Sequence, residues 1–236
     1  MKKKLKIFKR VLNRLIFRYT RLFVLAVYRL WLKKVHNKDK LPIKGPAILV
    51  SNHLSYFDWI ILGAIYNKTF LTFLGNKDLL NRPFVRWLMR LNILIYIDKT
   101  KKEFSYFKKI FKKLKEGKIV VIYPEGTRSR TGKMLPPKSG FVKLALLTGA
   151  PIIPVAMKGT YEILPPHKIF PSFKRCEVFV DDAIKIEKES PILGDILKGK
   201  KNTADLTDKD IEKIAFRIMA KIAEHSGQKC ETYEYK

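Results

Sequence analysis

The chain has 236 residues, 47% of them hydrophobic, which is enough apolar sequence for one sizeable folded core. Lys and Arg number 49 against 21 Asp and Glu. The resulting formal charge of +28 favours a polyanionic partner: a nucleic acid, an anionic membrane surface or a phosphorylated small molecule. The only two cysteines, Cys176 and Cys230, exclude a disulfide-stapled scaffold, and their spacing is not that of a metal site.

Residues 1–38 hold thirteen of the basic residues and no acidic one. Their apolar residues recur at helical spacing, with arginines between them. The longest stretch without a charge, residues 22–28, is seven residues long, against the roughly 18–20 that a membrane-spanning helix needs. We therefore expect a basic amphipathic helix, or a helical hairpin, that lies in the membrane surface as an anchor. The alternative is a helix that covers the protein's own core.

From residue 39 to residue 236, apolar runs alternate with helical patterns, which predicts one α/β domain. We expect a largely parallel or mixed central sheet flanked by helices. Strands are predicted at residues 47–51, 70–74, 93–97, 119–123, 152–157 and 177–180. Helices are predicted at residues 59–66, 82–91, 104–115 and 140–148, with a last helix after a capping pattern at residues 207–210. Residues 186–202 are predicted to form a surface loop.

The strand predicted at residues 47–51 is followed by His53, and Asp58 comes five residues later. In open α/β sheets, ligands bind beyond the carboxyl ends of the strands. If the chain turns so that Asp58 begins the next helix, its carboxylate can bond one ring nitrogen of His53. The other ring nitrogen is then free to take a proton. The alternative is a helix-capping Asp58 and an unrelated polar histidine.

The strand predicted at residues 119–123 runs directly into Pro-Glu-Gly-Thr-Arg at residues 124–128. The proline and the glycine suit a tight turn, and Arg128 can bind a phosphate through two parallel hydrogen bonds. Lys138 adds positive charge downstream. The alternative is a solvated basic loop. The spacing of the glycines is not that of a phosphate-binding P-loop, which excludes nucleotide hydrolysis through that motif.

Together, these segments resemble the glycerolipid acyltransferase family, and most closely its bacterial 1-acyl-sn-glycerol-3-phosphate acyltransferases. The resemblance is carried by Asn52-His53 with Asp58, and by residues 77–99, 124–128 and 150–155. Ile93 stands where the family usually has a glycine, and it fills space that a glycine leaves open. Lys99 stands where the family usually has an arginine, and it keeps the charge without the planar guanidinium.

The resemblance implies transfer of an acyl chain from acyl-CoA or acyl-acyl-carrier-protein to the sn-2 hydroxyl of 1-acyl-glycerol-3-phosphate, making phosphatidic acid for phospholipid biosynthesis. In that reaction His53 is the general base and Asp58 orients it. The resemblance also implies that the acceptor phosphate is bound by Glu125, Gly126, Thr127, Arg128 and Lys138. Further candidates for contact with the acceptor or the donor are Asn52, Lys77 and Lys99. No metal and no cofactor other than the thioester co-substrate is expected.

The expected partners are an anionic membrane surface, a lysophospholipid acceptor and the thioester donor, with no nucleic acid. We expect a peripheral or monotopic protein on the cytoplasmic face of the inner membrane. Two alternatives remain: an acyltransferase for another lyso-lipid, and a nonenzymatic basic protein that binds a membrane or a nucleic acid. The second leaves both strand-end motifs without a role, and no nucleic-acid-binding signature is evident.

Overall fold

The structure is a computed structural model that describes residues 30–66, 71–76, 94–97, 104–168, 170–187, 190–199 and 202–230, together with residues 12 and 19. Most of the basic segment predicted as a membrane anchor therefore lies outside the described residues. So do the helix predicted at residues 82–91 and the candidate contact residues Lys77 and Lys99.

Within these ranges the chain forms a single seven-stranded sheet and six α-helices. The strands are β1 Leu32–His36, β2 Ala47–Ser51, β3 Leu71–Asn76, β4 Leu94–Ile97, β5 Ile119–Ile122, β6 Ile152–Lys158 and β7 Cys176–Val180. The helices are α1 Phe57–Ile65, α2 Phe104–Lys115, α3 Gly140–Thr148, α4 Thr160–Ile163, α5 Gly194–Leu197 and α6 Asp208–Ser226. None of these helices has the length and apolar character needed to cross a bilayer.

The strand order is β1-β7-β6-β2-β5-β3-β4, so β2 and β5 are neighbours near the centre of the sheet. They are parallel and in register, with Val50 opposite Ile122. All neighbouring pairs are parallel except β6 and β7, which makes the sheet mixed and confirms the predicted fold class. Because β7 and β1 run against the other strands, both begin at the edge where β2, β5 and β6 end.

Strand β2 is buried on both faces, as expected for a central parallel strand. Ile48 and Val50 point into the hydrophobic cluster that includes α3 and α6. Ala47 and Leu49, one residue out of phase, point into the cluster that includes α1 on the other face. The two cores hold β2 rigidly, and so they fix the position from which the chain leaves at Ser51.

Two sequence-based boundaries are corrected. Strand β1 falls inside the segment 1–38, so the end of that segment belongs to the sheet. Residues 186–202 are more than a surface loop, because they contain α5 and because Leu193 and Leu197 are buried in the core beneath α6. The capping pattern at residues 207–210 is confirmed: Thr207 accepts a hydrogen bond from Asp210 N at the start of α6.

Candidate active site

His53 and Asp58 are joined by a hydrogen bond beyond the carboxyl end of β2. His53 Nδ1 lies 2.9 Å from Asp58 Oδ2. Asp58 is fully buried, whereas the His53 side chain remains 18% exposed. The helix α1 begins at Phe57, two residues earlier than predicted, so Asp58 lies in its first turn. The turn required for contact between the two residues is therefore present.

The local sequence folds this way because one carboxylate oxygen organises the turn. Asp58 Oδ2 also accepts hydrogen bonds from Leu54 N at 2.7 Å and Ser55 N at 2.8 Å. A negative charge in the first turn is favoured by the helix dipole of α1. Ser55 Oγ accepts from Phe57 N at 3.0 Å and donates to Leu164 O at 2.7 Å, which ties the turn to the end of α4.

The His53 ring is fixed from two sides. Its Nδ1 edge is held by Asp58, and its face stacks on the ring of Tyr123 with centroids 4.1 Å apart. Burial raises the pKa of Tyr123 well above its ordinary value, and its hydroxyl finds no hydrogen-bond partner among the described residues. Tyr123 therefore acts as an uncharged platform. Within the described part of the chain, the Nε2 atom of His53 makes no hydrogen bond. It is therefore available to take a proton from a substrate.

Glu125 joins the two strand-end loops. Its Oε1 accepts a hydrogen bond from His53 N at 2.7 Å, and its Oε2 accepts one from Leu135 N at 2.9 Å. The backbone of Ser129 closes the connection by donating to His53 O at 3.0 Å. Burial raises the pKa of Glu125 to about 7, although the two backbone donors act in the opposite direction. The loop after β5 is thus attached directly to the backbone of His53.

Arg128 lies against the turn that carries His53. Its guanidinium carbon is 3.3 Å from the centroid of the Tyr56 ring, a stacked cation–π arrangement. Its Nη1 atom is buried, with no hydrogen-bond partner in the parts of the chain that the structure describes. A buried guanidinium nitrogen without a partner is costly, and an anionic ligand would satisfy it.

The other residues predicted to bind the phosphate lie close to Arg128 in the sequence. Gly126 has φ of +70°, a conformation that favours glycine. The side chain of Lys138 passes over it, because its Cε would lie 3.5 Å from a Cβ at position 126. Lys138 N also donates to Pro124 O at 2.9 Å, and the side chain of Thr127 is exposed. The structure therefore brings Gly126, Arg128 and Lys138 together in one loop.

Two predicted substrate contacts are corrected. Glu125 is 5% exposed and both its oxygens are bonded to backbone N–H groups, so it supports the site from within. Asn52 is fully buried: its Oδ1 accepts from Met157 N and its Nδ2 donates to Met157 O, which binds β2 to β6. Neither side chain faces the region in front of His53, and motif membership alone could not reveal this.

Gln228, two residues beyond α6, is a site residue that the sequence analysis missed. Its Oε1 accepts hydrogen bonds from Asn52 Nδ2 at 3.1 Å and Ser226 Oγ at 3.3 Å. Its Nε2 donates to Gly132 O at 2.6 Å, in the loop that carries Arg128. The side chain thus joins the residue before His53 to the basic loop. It lies 176 positions from Asn52 in a segment without a motif, so no local signal could have identified it.

Together, the site offers an oriented imidazole with one free nitrogen beside an arginine suited to an anion. Such a pair can take a proton from a hydroxyl group while the arginine holds a phosphate on the same molecule. Within the described residues, no group of three His, Cys, Asp or Glu side chains is placed to hold a metal ion.

Comparison with known proteins adds independent information. A family model described as Acyltransferase matches residues 33–158. A 1-acyl-sn-glycerol-3-phosphate acyltransferase from Borreliella burgdorferi is 29% identical over 158 residues, covering 66% of this chain and 63% of the relative. A protein of the same name from Bacillus subtilis is 31% identical over 126 residues, covering 53% and 62%. A chloroplastic one from Brassica napus is 28% identical over 147 residues, covering 60% and 41%.

The chain spans about half the length of the curated relatives it matches. Among solved structures, it is similar to the crystal structure of the 1-acyl-sn-glycerophosphate (LPA) acyltransferase PlsC from Thermotoga maritima. The TM-score is 0.68 at 19% identity, and the match covers 96% of this chain and 85% of that one. At this level of identity, the similarity shows a shared fold.

The Gln228 contacts generate the first prediction. Gln228→Leu removes three hydrogen bonds and leaves Gly132 O and Asn52 Nδ2 without that partner. We expect the free energy of unfolding to fall by about 1–3 kcal/mol. We also expect faster hydrogen exchange at the amides of Ser129 and Leu135, because the basic loop loses its tie to the end of α6.

The control is Lys229→Ala, which changes an exposed neighbour and should alter neither measurement. Unchanged amide exchange in Gln228→Leu would contradict the role assigned to this side chain.

Proposed function

The chain belongs to the acyltransferase family, and we propose that it transfers an acyl chain from an acyl thioester to the sn-2 hydroxyl of 1-acyl-sn-glycerol-3-phosphate. The product is phosphatidic acid, a precursor of phospholipids. The proposal is supported by the names of the relatives and by the family model, which covers residues 33–158 and so includes the site. The observation that carries it is the 2.9 Å bond between His53 Nδ1 and buried Asp58, beside the stacked guanidinium of Arg128.

The chemical step begins with the acceptor hydroxyl. An alcohol has a pKa far above 7, so it must lose its proton as its oxygen attacks the thioester carbonyl carbon. His53 Nε2 accepts that proton while Nδ1–H donates to Asp58. The buried carboxylate stabilises the imidazolium that forms, and it keeps the ring in the one orientation that points Nε2 outward.

Collapse of the tetrahedral intermediate completes the transfer. The new carbon–oxygen ester bond remains, the carbon–sulfur bond breaks, and the proton on His53 Nε2 passes to the leaving thiolate. The products are the diacyl lipid and a free thiol, and the histidine returns to its neutral state. The nucleophile is the substrate hydroxyl, so this mechanism forms no acyl-enzyme. It uses protein groups alone, with the thioester as co-substrate and no metal or further cofactor.

Arg128 holds the acceptor phosphate in this proposal. Its unpartnered Nη1 and its planar fork suit a phosphate, and Tyr56 fixes the plane of the fork by stacking. Lys138 and the backbone at Gly126 complete the anion-binding loop, with Thr127 at its exposed side. The acceptor is thereby anchored at the phosphate while its hydroxyl reaches His53.

A panel assay tests the function as a whole. Purified protein is supplied with acyl-CoA or with acyl-acyl-carrier-protein, and with lysophospholipids that differ in head group. Release of free thiol that depends on 1-acyl-sn-glycerol-3-phosphate supports the proposal and identifies the donor. Thiol release that depends on another lyso-lipid supports the alternative acceptor. No thiol release with any acceptor overturns the function.

We further propose that the protein binds an anionic membrane surface through its basic N-terminal residues, as a peripheral or monotopic protein. Both thioester donors are cytoplasmic, so we assign it to the cytoplasmic face of the inner membrane. Ten cations without an acid in residues 1–29, ahead of β1, support this, since each basic residue near an anionic surface contributes up to about 1 kcal/mol. The proposed partners are therefore anionic lipid, lysophospholipid and thioester donor, and not nucleic acid.

The second prediction concerns the base. His53→Ala is expected to lower the rate of thiol release by ~10²–10⁴ without unfolding the protein, because proton abstraction is lost. Asp58→Asn should be comparably damaging because it favours the wrong imidazole tautomer. The matched control is His167→Ala, an exposed histidine outside the site. Near-normal turnover by His53→Ala would refute this mechanism.

The third prediction concerns the phosphate. Arg128→Lys keeps the charge but removes the planar fork and its stacking on Tyr56, so acceptor KM should rise more than kcat falls. Arg130→Lys, an exposed position in the same loop, is the control and should behave as wild type. The effect should shrink for an acceptor without a phosphate. Equal impairment with every acceptor would show that Arg128 does not bind the acceptor phosphate.

The fourth prediction concerns the basic segment. We expect a variant with Gln at Arg10, Arg14, Arg18 and Arg21 to bind anionic vesicles much more weakly, with little change for zwitterionic ones. Added salt should also weaken the binding of wild type to anionic vesicles. The control carries Gln at Lys108, Lys112, Lys115 and Lys118, an equal charge loss elsewhere. Co-sedimentation with vesicles is the measurement. Equal loss in both four-site variants would mean that total charge, rather than this segment, governs binding.

A further inference from the structure

We propose that residues 170–175, here called the aromatic loop, form a second membrane contact that inserts two phenyl rings into the interface of an anionic bilayer. Phe170 is 82% exposed and Phe173 is 90% exposed. Exposed rings of this size are costly in water, and aromatic side chains are favoured at the boundary between lipid headgroups and acyl chains. Nothing in the mechanism above uses either ring.

The loop is attached to the domain, so its exposed rings are not the result of a loose segment. Ser172 N donates to Ile163 O at 2.8 Å, and Ser172 Oγ donates to Glu162 O at 2.6 Å. Trp31 Nε1 donates to Ser172 O at 2.7 Å. These bonds hold the centre of the loop against α4 and the start of β1. Phe173 stacks on the Trp31 ring with centroids 6.5 Å apart, yet both it and Phe170 remain largely exposed.

The charge around the rings indicates the partner. Lys168, Lys174 and Arg175 are all exposed beside the phenyl rings. Between Glu162 and Glu177 the sequence contains no acidic residue. Cations around apolar rings suit an anionic lipid surface, where electrostatic attraction and burial of the rings both favour binding. Two phenyl rings offer much less area than the roughly 800 Å² per partner of a stable protein interface, so we assign the loop to lipid.

The loop lies at the edge of the sheet where His53 stands. It leads into β7, which runs against β6 and therefore begins where β6 and β2 end. The Trp31 ring that bonds the loop also packs edge-to-face on Phe57, the residue next to Asp58, with centroids 5.3 Å apart. Docking through the loop therefore turns the His53 side of the domain toward the bilayer. The benefit of this orientation for a lipid acceptor rests on the proposed function, whereas the docking does not.

The apolar contribution is tested with the full-length chain carrying Phe170→Ser and Phe173→Ser. We expect its partition onto phosphatidylcholine vesicles containing phosphatidylglycerol to fall by about tenfold or more, because two phenyl rings no longer insert into the bilayer interface. The matched control carries Ile43→Ser and Leu147→Ser, two exposed apolar residues away from the loop, and should partition as wild type. Equal partition of the loop variant and wild type overturns the proposal.

The basic contribution is tested separately. Lys168→Gln with Lys174→Gln should lower partition onto vesicles with phosphatidylglycerol by about fivefold per charge at low salt, and should have little effect without that lipid. The control is Lys108→Gln with Lys112→Gln on α2. Equal losses in the two variants would show that the positions of the charges do not matter, and would overturn the loop as the contact.

Insertion is read directly with tryptophan as a probe. Phe173→Trp should show more quenching by brominated lipid than wild type, whereas Leu147→Trp should show none beyond wild type. Absence of extra quenching in Phe173→Trp overturns insertion even if partition changes. A dimer that Phe170→Ser and Phe173→Ser abolish, with vesicle binding unchanged, would make the loop a contact between copies and would also overturn the proposal.

Activity separates this proposal from the proposed function. Acyl transfer to lysophospholipid in detergent micelles should be unchanged in Phe170→Ser with Phe173→Ser, whereas transfer in vesicles should show a raised apparent KM. If wild type transfers no acyl chain but its vesicle binding depends on the loop, the function fails and the docking stands. If wild type binds no vesicles, the docking fails whatever the activity.

Discussion

The turn between β2 and α1 depends on a single carboxylate oxygen, Asp58 Oδ2, which accepts hydrogen bonds from His53 Nδ1, Leu54 N and Ser55 N. A fully buried carboxylate loses its water and is stable only where such donors replace it. Because the same oxygen binds both the imidazole and the backbone of the turn, folding of the turn also fixes the orientation of His53. As the proposed base, His53 therefore needs little reorganisation on reaching a substrate, since its ring is already held when the turn has formed.

Glu125 extends this arrangement to the neighbouring strand end. Its two oxygens bind backbone N–H groups of His53 and Leu135, and Ser129 N bonds back to His53 O. The basic loop is consequently positioned by the backbone of the turn that carries His53 rather than by its own short-range structure. Tyr56 adds a contact between the turn and the guanidinium of Arg128. The position of Arg128 relative to His53 is thus set at β2 and β5, which are paired near the centre of the sheet.

The features that could be predicted from sequence are those with short-range causes. The family assignment is confirmed over residues 33–158, and the turn joining His53 to Asp58 follows from a five-residue spacing at a strand end. Asn52 and Glu125 were assigned to substrate because a motif does not reveal the direction of a side chain, and both point inward. Strand β1 and Gln228 have long-range causes. The exposed lysines of β1 obscure its pairing with β7, and the contacts of Gln228 exist only after the chain has folded.

Strand direction gives the domain one functional edge. Strands β2, β5 and β6 end there, while β1 and β7 begin there because they run in the opposite direction. Trp31, just before β1, accepts a hydrogen bond from Cys176 N at 2.7 Å and packs on Phe57 beside Asp58. Trp31, the aromatic loop that precedes β7 and the turn that carries His53 therefore converge on the same side. A fully parallel sheet would have sent the chain before its edge strands to the opposite side. The antiparallel pairing of β6 and β7 is thus what places the proposed surface attachment and the proposed acyl chemistry at one edge.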